Sequence, residues 1–367
     1  MPVNTPSITA GQALDALRAG YAAQTDGGLT ASWMLHGPPG IGKTEIVQQL
    51  AHETGARLHD LRLTTIEPAD LRGLPFYDYT ARRTVWYPPE DLPAPGAPAI
   101  LFLDELTAAA PILQPTIYGL LQERRIGTWH LPDTAFVVAA GNGPEDGAIA
   151  YEMGTALADR LIHLALRAEA GDWLRGFAVP QGVHPAVAAF IRLRPDLLDT
   201  TEDSLRRGET IACTPRAWAR VSDILGAIPD RTTRDVLIAG VVGEAPAAEF
   251  ALLEREAATQ INAEAIMAAS PRDRPELYPD TLHALTALTY AIVALADEES
   301  LPDAIEVMAG IRTLATDRGT TELERLPLGE LSSYGFELLI ERALERGWQE
   351  AFRDAPGYAA HMAARAS

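Results

Sequence analysis

Gly37-Pro38-Pro39-Gly40-Ile41-Gly42-Lys43-Thr44 decides the fold of this chain. The octet fits G-x-x-x-x-G-K-[ST] and stands between an apolar run, Ser32-Trp33-Met34-Leu35, and a stretch with helical spacing, Thr44 to Thr54. Glycines let the backbone curl until successive N–H groups face one anion, and the start of the next helix adds its dipole. The expectation is a phosphate loop: Gly37, Pro38, Pro39, Gly40, Ile41 and Gly42 form the cradle, Lys43 reaches the β- and γ-phosphates, and the Thr44 hydroxyl coordinates Mg²⁺.

Two later strands carry polar tips. Ile100-Leu101-Phe102-Leu103-Asp104-Glu105 is an apolar run ending in two carboxylates, of which Asp104 is expected to hold the metal and Glu105 to polarise a water. Phe136-Val137-Val138-Ala139-Ala140-Gly141 leads to Asn142, a neutral amide that can position that water without adding charge. By itself Asn142 reads better as a turn residue before Gly143-Pro144. A guanine site calls for Asn-Lys-x-Asp, and none of the three asparagines, Asn4, Asn142 and Asn262, lies in such a stretch, so ATP is favoured over GTP.

Strand and helix alternate through the first part of the chain: Arg57 to Leu61, Ala99 to Leu103 and Ala135 to Ala140 join Ser32 to Leu35 as buried strands, with Ile112 to Glu123 a further helix. This alternation predicts an α/β fold, a three-layer αβα domain on a parallel sheet, over residues 1–178. Past Pro180 only helical patterns remain. They are expected to form a helical lid over 179–268 and a helical C-terminal extension over 269–367, with the proline- and charge-rich stretch 268–275 as linker.

Composition narrows the partners. Fifty Asp and Glu against thirty Lys and Arg give the 367 residues a net charge of −20, which repels phosphate backbones and anionic lipid, so neither nucleic acid nor a membrane is expected as primary partner. The lone Cys213 precludes an internal disulfide, and the N-terminus has no basic-then-apolar leader pattern. The longest quiet apolar stretch, Ala284 to Ala296, is about half a membrane span, and the reading is a cytoplasmic protein.

The phosphate loop, Leu103-Asp104-Glu105, Ala139-Ala140-Gly141-Asn142, Leu157-Ala158-Asp159-Arg160 and Thr214-Pro215-Arg216, in this order, resemble an AAA+ ATPase of the MoxR group. The resemblance implies that Arg160 is the arginine finger that enters the neighbouring subunit's site, and that Arg216 is the second sensor on the lid. It also implies ring assembly, by analogy a hexamer, and hairpin insertions near 71–90 and 124–134. In the first of these, Leu74-Pro75-Phe76-Tyr77-Asp78-Tyr79 and Thr84-Val85-Trp86-Tyr87 flank two arginines; in the second, Arg124-Arg125-Ile126 precedes Trp129. One departure stands out: many relatives continue the acidic pair with Ile-Asn-Arg, and here Leu106-Thr107-Ala108-Ala109 follows. The extension resembles a bacterial branch encoded beside von Willebrand factor A-type proteins, which makes such a protein the expected partner. The implied activity is ATP hydrolysis that remodels or activates a partner protein. The alternatives are a slowly hydrolysing, ATP-gated scaffold and the ATPase subunit of a metal-chelatase-like complex.

Overall fold

The computed structural model describes residues 4–143, 146, 155–355 and 357–358. They fall into two units, Met1–Ala168 with Thr201–Thr210, and Glu169–Thr200 with Ile211–Ser367. The outermost residues of the expected first and last domains, 1–3 and 359–367, lie outside the described residues.

The first unit alternates β1 (Ser7–Ile8), α1 (Ala10–Thr25), β2 (Ser32–His36), α2 (Lys43–Thr54), β3 (Arg57–Arg62) and α3 (Pro68–Arg72). A hairpin of β4 (Leu74–Asp78) and β5 (Arg83–Tyr87) follows, then β6 (Ala99–Asp104), α4 (Gln114–Glu123), and a small hairpin of β7 (Arg125–Ile126) and β8 (Trp129–His130). The unit closes with β9 (Ala135–Gly141), α5 (Thr155–Ala158) and β10 (Leu161–Leu166). Six strands form one parallel sheet in the order β1-β10-β2-β9-β6-β3.

The central strands β6 and β9 are buried along their whole length, which is why they read as continuous apolar runs rather than alternating ones. Side chains alternate between two cores: Leu101, Leu103, Val137 and Ala139 face α4, while Ile100, Phe102, Phe136 and Val138 face α1 and α2. Phe102 and Phe136 are essentially inaccessible, and burial of each contributes about 2–3 kcal/mol. These strands all pair in parallel, with helices on both faces, so β2, β3, β6 and β9 deliver their C-terminal ends to one edge.

Two sheet strands are not among the four buried runs read from sequence. β1 spans only two residues, and β10 stands beside Asp159 and Arg160 and carries His163, polar residues that break the apolar run.

In the first hairpin, Phe76 pairs with Val85 and Leu74 with Tyr87, and the Asp78 carboxylate accepts from the N–H groups of Thr80 and Ala81, both at 2.9 Å. Gly73 sets its entry: at φ 78° a Cβ there would lie 1.9 Å from Tyr87 O, so only glycine fits. The smaller hairpin is anchored instead, with Ile126 buried and Trp129 packed on the core below α4.

Among the described residues of the second unit every regular element is helical. Trp218 sits at the centre of an aromatic cluster, 5.1 Å from Phe190 and 5.8 Å from Phe250 between centroids, and its Nε1 donates to Leu197 O at 2.7 Å. The stretch 268–275 wraps around Arg274, which is buried and donates to the carbonyls of Ile266, Met267 and Ala269 while pairing with Glu306 at 3.1 Å. Helices on both sides of that stretch belong to this one unit. The apolar stretch from Ala284 lies in the buried helix Leu282–Leu295, and among the described residues no helix is long and apolar enough to cross a membrane.

Candidate nucleotide site

After His36 the chain leaves the sheet, turns through Gly40 at φ 84° and Gly42 at φ 107°, and enters α2 at Lys43. Both glycines hold left-handed backbone that a side chain would strain, which explains their place in the octet. Lys43 is buried. Its Nζ donates to Gly37 O at 2.6 Å, to Pro38 O at 3.1 Å and to Asn142 Oδ1 at 2.8 Å. An ammonium can only donate, so the Asn142 oxygen, not its amide nitrogen, faces the lysine.

At the end of β6 the Asp104 carboxylate is buried and accepts from the Glu105 N–H at 2.8 Å. Burial, reinforced by the nearby Asp104 charge, holds the Asp60 carboxyl on neighbouring β3 above the usual carboxylate range, against the pull of Arg62. Glu105 takes left-handed backbone at φ 59°, a conformation costing about 1–2 kcal/mol for a residue with a side chain. Its carboxylate is held on the β3 side: the Thr64 hydroxyl donates to Oε2, and Arg62 Nε lies 3.9 Å from Oε1.

Thr107 occupies the turn after the acidic pair. Its Oγ1 accepts from the Asn142 N–H at 3.1 Å and donates to Asn142 O at 3.0 Å, fastening the end of β9 to the end of β6. Gly141 leaves the room for this, since a Cβ there would fall 2.6 Å from Thr107 Oγ1.

Arg160 is exposed in the turn before β10, its N–H donating to Leu157 O at 3.1 Å. Arg216 belongs to the second unit, exposed in the first turn of the helix Pro215–Ala227, where Thr214 caps by accepting from Ala217 N at 3.1 Å. Nearby Cys213 is buried, and burial pushes its thiol up to about 11, away from reactive thiolate.

The expected residues therefore arrive at one sheet edge in part: Lys43 and Asn142 are joined, Asp104 and Glu105 are adjacent, and Thr44 stands partly exposed in the first turn of α2. A hydroxyl and a carboxylate are hard oxygen donors, the set Mg²⁺ prefers when phosphate oxygens complete its shell, so the residues present fit that ion. Thr64 and Thr107 were not singled out by the motifs. Single hydroxyls carry no local signal, and only the fold brings them against Glu105 and Asn142.

A parallel sheet with a phosphate loop after β2, a carboxylate pair ending β6 and an asparagine ending β9 defines a P-loop nucleotide-binding domain. Residues 32–161 match the family described as AAA domain (dynein-related subfamily), and this matched segment lies within the first unit. Over 78 residues the chain is 38% identical to ATPase family gene 2 protein homolog B of Mus musculus, and equally to the Homo sapiens protein. That segment is 21% of this chain and 10% of the relative, so the match spans about a tenth of the curated relatives' length. Among solved structures, Thermotoga maritima RuvB, a Holliday junction branch migration motor, aligns at 17% identity and a TM-score of 0.35, over 77% of this chain and 80% of that one. NtrX from Brucella abortus aligns at 16% identity and a TM-score of 0.33, over 89% and 69%.

Proposed function

We propose that this protein is a cytoplasmic AAA+ ATPase of the MoxR type that hydrolyses ATP-Mg²⁺ at sites shared between subunits of a ring, by analogy a hexamer, and uses the cycle to remodel a partner protein. The observation that carries the reading is the linked cluster Lys43–Asn142–Thr107 beside Asp104 and Glu105, a phosphate loop already fastened to the strand end that would sense the γ-phosphate.

The loop amides and Lys43 bind the β- and γ-phosphates, whose oxygens replace Gly37 O, Pro38 O and Asn142 Oδ1 as partners of the ammonium. Thr44 and Asp104 would hold Mg²⁺, which when bound draws negative charge from the phosphate oxygens. Glu105 accepts a proton from the attacking water as its oxygen bonds to the γ-phosphorus and the bridging oxygen leaves with ADP. Asn142, once exchanged from Lys43, orients that water. Arg160 of one subunit stabilises charge at its neighbour's γ-phosphate, and Arg216 reports nucleotide state to the helical unit.

The partner-facing element is the first hairpin. Leu74, Phe76, Tyr77, Tyr79 and Tyr87 are all exposed there, Tyr79 at 82%, and Arg72 stacks over Trp86 at 4.1 Å. Aromatic and arginine side chains without core contacts are the composition of a protein interface. With a net charge of −20 the surface suits a protein better than a nucleic acid, and a von Willebrand factor A-type protein is the partner class the resemblance brings.

One observation favours a second reading, the slow ATP-gated scaffold: Glu105 is engaged by Thr64 and Arg62, which holds the base off a water. Mg²⁺-dependent ATP turnover per subunit, followed across protein concentration for the wild type and Glu105→Gln, separates the two. The motor reading expects turnover per subunit to rise with concentration and to vanish in the variant. Tight ATP binding with negligible turnover in both favours the scaffold.

A further inference from the structure

His36 closes β2, one residue before the phosphate loop, and His163 lies on β10 beside it. Their backbones are in register, with His36 opposite Ala165, so the two imidazoles stand on the same face two residues apart and stack at 5.0 Å between ring centroids. His36 Nε2 is 2.7 Å from His163 Nδ1, and His163 Nε2 is 2.9 Å from Ala158 O.

A carbonyl only accepts, so His163 carries its proton on Nε2 and donates it to Ala158. The neutral ring then presents a lone pair at Nδ1, and His36 Nε2–H supplies the donor that this lone pair needs. The opposite tautomer would set a lone pair against the Ala158 carbonyl. His36 thus fixes the proton position that lets His163 hold Ala158, two residues before Arg160.

Arg160 itself is exposed, in a turn closed by its N–H bond to Leu157 O. Leu161, directly after it, is already paired with Ser32 on β2. The segment is therefore fastened on its C-terminal side by the sheet and on its N-terminal side by His163.

We propose that His163 is a positioning residue for Arg160, fixing the turn that presents this arginine to the neighbouring subunit. The inference rests on the reading of Arg160 as a finger acting in trans. It also ties a subunit's finger to the strand that feeds its own phosphate loop, through His36.

The test uses mixed assemblies of full-length chains. Glu105→Gln subunits cannot hydrolyse but can lend a finger, and Arg160→Ala subunits can hydrolyse only if a neighbour lends one. Adding His163→Ala to the Glu105→Gln donor is expected to lower kcat of the mixture about tenfold with KM for ATP unchanged. His163→Gln in the donor, whose side-chain amide can donate to Ala158 O, is expected to restore most of that loss. Placed instead in the Arg160→Ala acceptor, which lends no finger, His163→Ala should cost less than about twofold, which separates a positioning role from a general folding defect. Equal turnover with and without His163→Ala in the donor overturns the proposal. Equal losses in donor and acceptor overturn it as well, since a merely structural histidine gives that pattern. If the parent pair fails to complement while each variant alone is inactive, the finger reading itself has failed.

Discussion

Lys43 Nζ donates to Asn142 Oδ1 at 2.8 Å, so the loop after β2 and the end of β9 are joined through the chain's one lysine. In the proposed function, binding and sensing share this hydrogen bond: a γ-phosphate that takes the ammonium's donors would release the amide oxygen, which would couple the two steps.

Replacing that amide separates its two roles. Asn142→Ala is expected to lower kcat about a hundredfold while ATP affinity changes far less, because with nucleotide bound Lys43 would turn to phosphate oxygens and the group missing is then the one that orients water. Asn142→Asp should instead weaken ATP binding at least about tenfold, because a carboxylate there pairs with Lys43 and faces the γ-phosphate. Phosphate-release kinetics and a fluorescent-nucleotide titration read the two effects, and identical behaviour of the variants would contradict this division.

Thr64 is expected to restrain Glu105. Removing the hydroxyl at nearly constant shape, Thr64→Val, should raise turnover roughly threefold with nucleotide affinity unchanged, as the carboxylate loses the donor that holds it toward β3. Turnover falling to the level of Glu105→Gln would show that Thr64 places the base rather than restrains it.

How much of this was legible beforehand varies with the kind of signal. The octet at 37–44 and the apolar runs ending in Asp104 and Asn142 gave the parallel sheet and its functional edge, because central strands buried on both faces write themselves as unbroken apolar sequence. β10 is half-buried and contains His163, so its pattern was ambiguous, and with it the histidine pair was invisible. Thr107 stood in a segment noted only for lacking the family's Asn-Arg pair. Its bonds to Asn142 depend on β6 and β9 being neighbours, which no local spacing reveals.

The close fit of Thr107 against β9 has a measurable cost when disturbed. In Gly141→Ala the new methyl would lie 2.6 Å from Thr107 Oγ1 and 2.9 Å from Met34 Cε, so neighbours must shift and stability should fall by about 1–3 kcal/mol. Thermal unfolding checks this directly. An unchanged Tm would mean the turn after β6 yields freely and does not fasten Asn142.

His36 makes the first unit acid-sensitive. Burial, then the neighbouring His163 and the Lys43 charge, lower its pKa from 6.5 to about 4. Between those values the unfolded chain binds a proton that the folded chain refuses, so stability falls as pH drops through this window. The contribution amounts to about 3 kcal/mol between pH 7 and pH 4. Denaturant unfolding of wild type and His36→Gln across this range should show the shallower decline in the variant. Parallel curves would place the acid sensitivity elsewhere.

The central claim is that a catalytic site is shared, with Glu105 from one subunit and Arg160 from the next. It is tested most directly by mixing two inactive proteins, Glu105→Gln and Arg160→Ala, and measuring ATP turnover. Random co-assembly at equal amounts pairs an intact Glu105 with an intact neighbouring Arg160 at about a quarter of interfaces, and turnover should recover to about that fraction of wild type. A mixture as inactive as its components, at concentrations where both co-assemble, would contradict the account.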